Sequence, residues 1–433
     1  MLPAPSVFSV FSEAQSWRVR LRNEVGTEGQ GSATLRAMIR LLAFFLFLAG
    51  FTAHAAVVLG IDILKSQDFA SLAGKRVGLV TNQTGVDSSG TKTRVILNKA
   101  RNIRLVALYS PEHGIDGTVG AGKYVTSRKD AATGLVVHSL YGPTRKPTPE
   151  MLAGIDVLVY DMQDIGVRSY TYVSTMAKCM EACGEQRIPF VVLDRPNPLG
   201  GQRIEGPGIE DKWKSFVGQL PVPYLHGMTV GELARMANAR GWAGSRCQLT
   251  VVPMQGWSRD MTWSRTGLRW VQTSPNIPRA NSVPYYAATS IFGSLEGAAL
   301  DVGIGTGEPF QTAGKCGLDS VAFVRELRAS GLRGIGVEPY VRKEFGGARL
   351  NLTADSETNL AALNIQLLCA AQKHSRGSIF ARYHDKDDIF WKIYGSTSLR
   401  AQVEKGVPPA SIIAGWESGV ARFRAARQAY LLY

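Results

Sequence analysis

Four short apolar runs in the first half of the chain each end in a compact polar cluster. The runs are 77–80, 105–109, 157–160 and 190–193, and the clusters are 81–85, 110–114, 161–166 and 194–198. Continuous apolar runs of this length are typical of strands buried on both faces of a parallel sheet. Open α/β sheets bind ligands beyond the carboxyl ends of such strands. We therefore expect the four polar clusters to meet at one edge of a sheet and to form a site for a polar ligand.

Helical patterns alternate with these runs, at 92–100, 172–185 and 229–240. The last of them has Thr229 as a predicted N-cap and Glu232 at the capping-box position. Alternation of strands and helices requires crossover connections. The pattern predicts the α/β class, with a Rossmann-like, doubly wound N-terminal domain over 56–254 that is closed by a further strand at 248–253.

The pattern changes beyond residue 254. The stretch 255–284 is rich in Trp, Pro, Ser and Asn, which predicts a crossover lined by aromatic residues. The remainder, 285–433, mixes strand and helix patterns and predicts a smaller α+β domain with a helical tail. Strands are expected at 335–341 and 348–352, and helices near 318–330, 357–373, 387–394 and 409–430. A cleft between the two domains is the expected ligand pocket.

The N-terminal region predicts export. Residues 38–55 combine a charged start, an apolar core and the small-x-small site Ala53-His54-Ala55, which is the pattern of a secretory signal peptide cleaved after Ala55. Residues 1–37 precede a natural start at Met38 and are predicted to be a mis-assigned, non-native extension. No later segment is apolar for long enough to span a bilayer. The sequence thus predicts a secreted or periplasmic protein without a membrane span.

The formal net charge of +14 is strongly basic. It falls to +12 without residues 1–55, because that segment carries five arginines and three glutamates. The basic residues are scattered, which argues against a nucleic-acid groove and fits attraction to an anionic cell-wall polymer. No G-x-G-x-x-G follows the first strand and no H-E-x-x-H is present. We therefore expect no dinucleotide cofactor and no zinc site, and predict neither cofactor nor metal.

With dinucleotide and zinc chemistry excluded, catalysis by carboxyl groups is the remaining candidate. Glu112 follows Pro111 and precedes His113-Gly114, where the glycine permits a sharp turn. A glutamate at the end of a strand beside Tyr109 can become a general acid through partial desolvation. Read from the residues alone, Glu112 could equally be an exposed loop carboxylate or a helix cap, and Asp164 could pair with Arg168.

Five segments together resemble the signature segments of the exo-β-N-acetylmuramidases, the NamZ-like family. They are 110–114, 164–172, 193–198, 226–232 and 274–278, and the likeness extends from about residue 59 to the C-terminus. The resemblance implies hydrolysis of terminal, non-reducing N-acetylmuramic acid from peptidoglycan fragments, in cell-wall turnover and recycling. It also implies that Glu112 is the leading catalytic candidate.

One segment departs from the family pattern. Where relatives tend to have Glu-Gly-Thr-Asn leading to Gly-Arg-Gly-Thr, this chain has Glu296-Gly297-Ala298-Ala299 and then Gly303-Ile304-Gly305-Thr306. The asparagine and arginine that are missing could have held the lactyl carboxylate of muramic acid. Arg168, Arg195 and Arg279 are left as possible partners for that carboxylate.

The predicted reaction is glycoside hydrolysis in which Glu112 protonates the leaving oxygen. Asp164 or Asp161 would be the second carboxylate, or the acetamido group of the substrate would be the nucleophile. His113 would orient Glu112 or contact sugar hydroxyls. The candidate catalytic residues are thus Glu112, Asp164 and His113, and the candidate substrate-binding residues are Asn82, Asp161, Arg168, Tyr170, Tyr172, Arg195, Asn197, His226, Asn276 and Glu296.

Two other classes of protein stay open. An exported protein that binds muropeptides without cleaving them would use the same cleft, and a fully exposed or ion-paired Glu112 would favour it. An esterase or amidase would need a nucleophile beside a base, such as Ser110 with His113, but adjacent loop positions rarely give that geometry.

Overall fold

The structure is a computed structural model that describes residues 56–295, 300–353, 356–381 and 389–433. The predicted extension 1–37, the predicted signal peptide 38–55 and the candidate Glu296 lie outside the described residues. The described residues belong to one compact unit with two β-sheets.

Seven strands form the larger sheet. They are β1 (Arg76–Thr81), β2 (Arg104–Ser110), β3 (Arg128–Lys129), β4 (Val136–Ser139), β5 (Val157–Asp161), β6 (Phe190–Leu193) and β7 (Leu249–Val252). Their order across the sheet is β3-β4-β2-β1-β5-β6-β7. Neighbouring strands are parallel, except for the antiparallel pair β3 and β4. The four apolar runs are therefore adjacent strands, and the parallel sheet expected from them is confirmed.

Both faces of this sheet are buried at its central strands. Along β5, Val157 and Val159 belong to one apolar cluster, and Leu158 and Tyr160 belong to a second, larger one. Side chains alternate between the two faces of a strand, so a strand covered on both sides needs apolar residues at every position. This burial explains why the strands are unbroken apolar runs.

Eleven α-helices lie in the part of the chain that the structure describes. They are α1 (Gly60–Ser66), α2 (Thr93–Lys99), α3 (Tyr172–Gln186), α4 (Val230–Arg240), α5 (Ser282–Gly293), α6 (Ser320–Ala329), α7 (Leu360–Lys373), α8 (Ile389–Tyr394), α9 (Ser398–Glu404), α10 (Pro409–Ala414) and α11 (Glu417–Ala426). None of these is both long and apolar enough to cross a membrane.

Helix α4 begins and ends as its sequence predicts. The Thr229 hydroxyl accepts the N–H of Glu232, and the Glu232 carboxylate accepts the N–H of Thr229, which completes the capping box. Gly241 caps the C-terminus of the helix, and its φ of 69° is left-handed, which favours glycine.

The smaller sheet lies in the second half of the chain and is antiparallel. Its strands are β8 (Leu300–Asp301), β9 (Thr312–Cys316), β10 (Gly336–Arg342) and β11 (Phe345–Asn351), in the order β10-β11-β9-β8. The predicted strands at 335–341 and 348–352 correspond to β10 and β11. The second half thus has the mixed strand and helix content that its pattern predicts.

The prediction of one continuous helix over 409–430 is wrong. The structure divides it into α10, α11 and a 3₁₀ turn at Gln428–Tyr430, with the first break at Gly415-Trp416. Glycine is a weak helix former, and a break there allows the chain to change direction. Within the predicted crossover, residues 255–281 contain one 3₁₀ turn, Trp263–Arg265, and helix α5 then begins at Ser282.

Candidate active site

The polar clusters meet at one edge of the larger sheet. Thr81 at the end of β1 pairs with Asp161 at the end of β5, and Val80 pairs with Tyr109 near the end of β2. Parallel strands in this register bring their carboxyl ends to the same edge. Glu112 lies two residues past the end of β2, at this edge.

Glu112 occupies a tight turn. The Gly114 N–H donates to the carbonyl oxygen of Pro111 at 3.1 Å, and His113 and Gly114 both have left-handed backbones, with φ of 70° and 78°. Glycine adopts this conformation freely, whereas it is strained for histidine. Strain of this kind concentrates at functional sites.

The Glu112 carboxylate is 8% exposed and has a donor on each oxygen. Oε1 accepts the Gly122 N–H at 2.8 Å, and Oε2 accepts the Thr171 hydroxyl at 2.7 Å. No lysine or arginine among the described residues forms an ion pair with it. Two neutral donors fix the direction of the carboxyl group and leave it free to exchange a proton.

His113 presents a nitrogen that can accept a hydrogen bond. Its Nδ1 lies 2.7 Å from the carbonyl oxygen of Val119. A carbonyl only accepts, so Nδ1 carries the hydrogen and Nε2 of the neutral ring is an acceptor. Because His113 lines the same cavity as Glu112, a ligand hydroxyl can donate to this nitrogen.

A cavity of about 340 Å³ opens over Glu112. Its volume is in the range of small-molecule sites, and its wall combines apolar and aromatic groups with a few polar ones. The lining residues that carry polar or aromatic groups include Glu112, His113, Tyr141, Ser169, Tyr170, Thr171, Ser274, Asn276, Tyr286 and Ser290. Residues from both halves of the chain line it, which suits a ligand of monosaccharide size.

Tyr170, Tyr172 and Tyr286 form an aromatic wall. The ring of Tyr170 lies edge-on to Tyr172 at 4.8 Å and to Tyr286 at 5.9 Å. Tyr172 itself does not line the cavity; its hydroxyl donates to the carbonyl of Thr273. The exposed surfaces of Tyr170 and Tyr286 are therefore what a sugar ring would meet.

Asp164 is buried beside this wall and does not line the cavity. Its Oδ2 accepts the Gly166 N–H at 2.7 Å, and its Oδ1 has no partner among the described residues. Burial raises the pKa of Asp164 to about 7. A carboxyl group in this setting is protonated over much of the neutral pH range.

Asp161 and Arg195 form a buried ion pair away from the cavity. Arg195 Nε lies 2.6 Å from Asp161 Oδ1, and Arg195 Nη2 donates to Asp161 Oδ2 at 2.9 Å and to the Val86 carbonyl at 2.7 Å. Thr93 adds a hydrogen bond to the same carboxylate. Both side chains are thus engaged in joining the ends of β5 and β6 to the loop after β1.

Arg168 is fully buried and holds four backbone carbonyls. Its Nη1 donates to Pro207 and Val222, and its Nη2 donates to Ile393 and Tyr394, all within 2.7–2.9 Å. Burial lowers the pKa of Arg168 to about 10. The guanidinium thus joins three segments of the chain and has no nitrogen directed at the cavity lining.

Asn82, Asn197 and His226 order the backbone of the loops. Asn82 Oδ1 accepts the Thr84 N–H, Asn197 bonds to the backbone of Leu199 and Met228, and His226 Nδ1 accepts the N–H of Met228. Burial lowers the pKa of His226 to about 3. None of the three lines the cavity.

The structure thus brings together Glu112, His113, Tyr170 and Asn276 of the predicted site. It adds Thr171, Gly122, Ser169 and Tyr286, which the sequence analysis did not single out. Thr171 and Ser169 lie inside the segment 164–172 already noted, so that segment was the available signal. Gly122 lies in a loop with no periodic pattern. Among the described residues, no group of three or more His, Cys, Asp or Glu could hold a metal ion.

Comparison with known proteins identifies relatives over most of the chain. The N-terminal family model described as exo-beta-N-acetylmuramidase NamZ matches residues 77–281, and the corresponding C-terminal model matches residues 285–433. The chain is 39% identical over 388 residues to the peptidoglycan beta-N-acetylmuramidase NamZ of Bacillus subtilis (strain 168). That alignment covers 86% of this chain and 91% of the relative.

Two crystal structures of DUF1343 family proteins from Bacteroides fragilis NCTC 9343 are similar in fold. The first has a TM-score of 0.79 at 39% identity and covers 87% of this chain and 99% of its own. The second has a TM-score of 0.67 at 28% identity and covers 88% of this chain and 99% of its own.

Proposed function

This chain belongs to the exo-β-N-acetylmuramidase NamZ family, and from that premise we propose that it is an exo-acting glycoside hydrolase. Its proposed substrates are peptidoglycan-derived disaccharides or muropeptides, from which it releases terminal, non-reducing N-acetylmuramic acid. The proposed role is cell-wall turnover and recycling.

The environment of Glu112 is the observation that carries this proposal. A general acid must be shielded from water, directed at the leaving oxygen and free of a permanent counter-charge. Glu112 is nearly buried, is held by Gly122 and Thr171, and forms no ion pair within the described residues. A fully exposed or ion-paired Glu112 would have favoured a non-catalytic binding protein, and neither condition is met.

In the first proposed step, Glu112 donates a proton to the glycosidic oxygen as the bond to the anomeric carbon breaks. A second group stabilises the positive charge that develops on the anomeric carbon of the sugar. Glu112 is the one carboxylate that lines the cavity among the described residues, and this favours the acetamido oxygen of the substrate as that group. Water then attacks the anomeric carbon, the acetamido group is restored, and the Glu112 carboxylate takes up the proton of the water. Asp164, buried behind the wall, is the alternative second group.

The other lining residues would bind the sugar. His113 Nε2 accepts a hydroxyl, Asn276 offers an amide, and the rings of Tyr170 and Tyr286 contact the apolar face of the pyranose. These contacts hold the anomeric oxygen close to Glu112 and exclude water from it.

We further propose a Rossmann-like, doubly wound domain over 56–254, a crossover over 255–284 and a C-terminal α+β domain over 285–433. The order of β2, β1, β5 and β6, with α2 between β1 and β2 and α3 between β5 and β6, supports this division. Export to the periplasm or the exterior, with cleavage after Ala55, is proposed from the sequence of residues 38–55.

The proposal is tested with purified protein, a chromogenic β-N-acetylmuraminide and, in parallel, the matching glucosaminide. We expect chromophore release from the muraminide. Folded protein that binds muropeptides without releasing any chromophore or sugar would instead support the non-catalytic alternative.

A further inference from the structure

Arg145 stacks on two aromatic rings, of which one, Tyr141, lines the cavity. Its guanidinium carbon lies 3.4 Å from the ring centre of Tyr141 and 5.0 Å from that of Phe216. Tyr141 and Val217, the neighbour of Phe216, both line the cavity. Stacking on aromatic faces fixes the plane of a guanidinium without using its hydrogen-bond donors.

The donors of Arg145 are not all used. Its Nη1 is buried and has no hydrogen-bond partner among the described residues, and no carboxylate there forms an ion pair with it. The other described arginines that have a buried nitrogen without a partner lack it only at Nε. A buried, unpaired terminal donor on a cation is unfavourable unless a ligand completes it.

Tyr141 lies close to both Arg145 and Glu112, the proposed acid. Burial raises the pKa of Tyr141 to about 12, with the nearby Glu112 charge acting in the same direction and the Arg145 charge opposing it. Both charged groups are therefore close to the same phenol.

Three competing cations are already occupied, and Arg279, the remaining candidate from the sequence, is an exposed side chain. Arg168 is used by four carbonyls, Arg195 by Asp161, and Lys146 by Glu181 and Glu185. N-acetylmuramic acid differs from N-acetylglucosamine by a lactyl ether that ends in a carboxylate, the planar anion that a guanidinium binds best. We propose that Arg145 is the specificity-determining residue that binds this lactyl carboxylate.

This inference rests on the proposed function and is tested by comparing kcat/KM for the aryl muraminide and the aryl glucosaminide. For Arg145→Gln we expect the muraminide value to fall roughly 100-fold, because a buried charge pair is lost. The glucosaminide value should change by less than about 3-fold, and Arg145→Lys should lie between. Arg101→Gln, which removes an exposed arginine that does not line the cavity, is the matched control and should leave the preference unchanged.

A substrate-side measurement covers the case in which Arg145→Gln does not fold. In this measurement the lactyl carboxylate of the muraminide is converted to its methyl ester. The kcat/KM of the wild-type protein for the ester should be as low as that of Arg145→Gln for the free acid. Equal cleavage of acid and ester, or an unchanged preference in both Arg145 variants, would overturn the inference alone. A folded wild-type protein that cleaves no muraminide would overturn the proposed function itself.

Discussion

Thr171 donates its hydroxyl hydrogen to Oε2 of Glu112 across 2.7 Å, and both side chains are buried. The other carboxylate oxygen, Oε1, accepts a backbone N–H from Gly122, and a backbone N–H can only donate. A hydroxyl can donate or accept. Oε2 is therefore the oxygen that tolerates a proton, and Thr171 is a positioning residue for the acid.

Replacement of Thr171 by Val should reduce kcat/KM roughly 10- to 100-fold, since a hydrogen bond to a charged group contributes about 1.5–3 kcal/mol. Thr171→Ser keeps the hydroxyl and should restore the activity. A Ser variant that is as impaired as Thr171→Val would limit Thr171 to a packing role.

The sequence predicts that polar side chains lie at one edge of the sheet, but not which of these side chains are free to bind a ligand. Glu112 and His113 follow an apolar run, so their place was predictable from the pattern. Arg168 and Arg195 were equally good candidates on the same grounds. The Arg168 guanidinium binds backbone carbonyls and the Arg195 guanidinium binds Asp161. These partners are distant in sequence, and sequence spacing does not reveal such contacts.

The strands that were predicted are those buried on both faces, because only these produce continuous apolar runs. Strand β3 is two exposed basic residues, Arg128–Lys129, and has no apolar signal. Helix α5 (Ser282–Gly293) was missed for the opposite reason. It is buried on nearly all sides and so has no amphipathic period, and Pro284 lies in its first turn.

Asp164 should make the protein less stable as pH rises. Burial raises its pKa to about 7 in the folded chain, against about 3.9 when unfolded. Between these values the folded chain binds more protons, so stability is lost as pH increases. Asp164→Asn should flatten the change in the free energy of unfolding between pH 5 and pH 8, as measured by urea denaturation.

Asp156→Asn is the matched control for that slope. The Arg76 side chain lowers the pKa of the partly exposed Asp156 to about 2, so this group is ionised in both states above about pH 5. Its removal should leave the slope unchanged.

The same Asp164→Asn protein also tests the mechanism. Near-normal turnover agrees with the acetamido group as the second group. A loss of about 100-fold or more would assign that role to Asp164.

The C-terminal Tyr433 should stabilise the fold through its hydroxyl. That hydroxyl donates to Asp194 Oδ2 at 2.8 Å and accepts the Met254 N–H at 2.7 Å, while the ring packs edge-on against Trp257. Tyr433→Phe keeps the ring and leaves the Met254 N–H unpaired, so we expect a loss of about 1–3 kcal/mol in the free energy of unfolding.

Tyr430→Phe provides the comparison for this loss. The Tyr430 hydroxyl accepts a hydrogen bond from Arg240 at the surface, so its removal should cost less than about 0.5 kcal/mol. Denaturation midpoints of the two variants measure the difference. Equal stability of both variants would show that the contact with Asp194 and Met254 contributes nothing.

The compartment is tested by mass spectrometry of the mature N-terminus. The apolar run after Met38 and the Ala53-His54-Ala55 site predict a chain that begins at Ala56 in the exported fraction. A chain that still carries Met38 and remains in the cytoplasmic fraction would contradict the proposed export.

Replacement of Glu112 by Gln should remove the general acid while keeping the shape of the side chain. The amide oxygen can still accept from Gly122 or Thr171, so binding of a disaccharide should largely survive. General acid catalysis contributes about 10²–10⁴-fold, and turnover of a natural disaccharide should fall by that factor. An activated aryl muraminide should lose less, because its leaving oxygen is weakly basic and departs without a proton. Equal losses on both substrates would indicate that Glu112 acts on something other than the leaving group, and near-normal turnover of the disaccharide would place the acid elsewhere on this edge of the sheet.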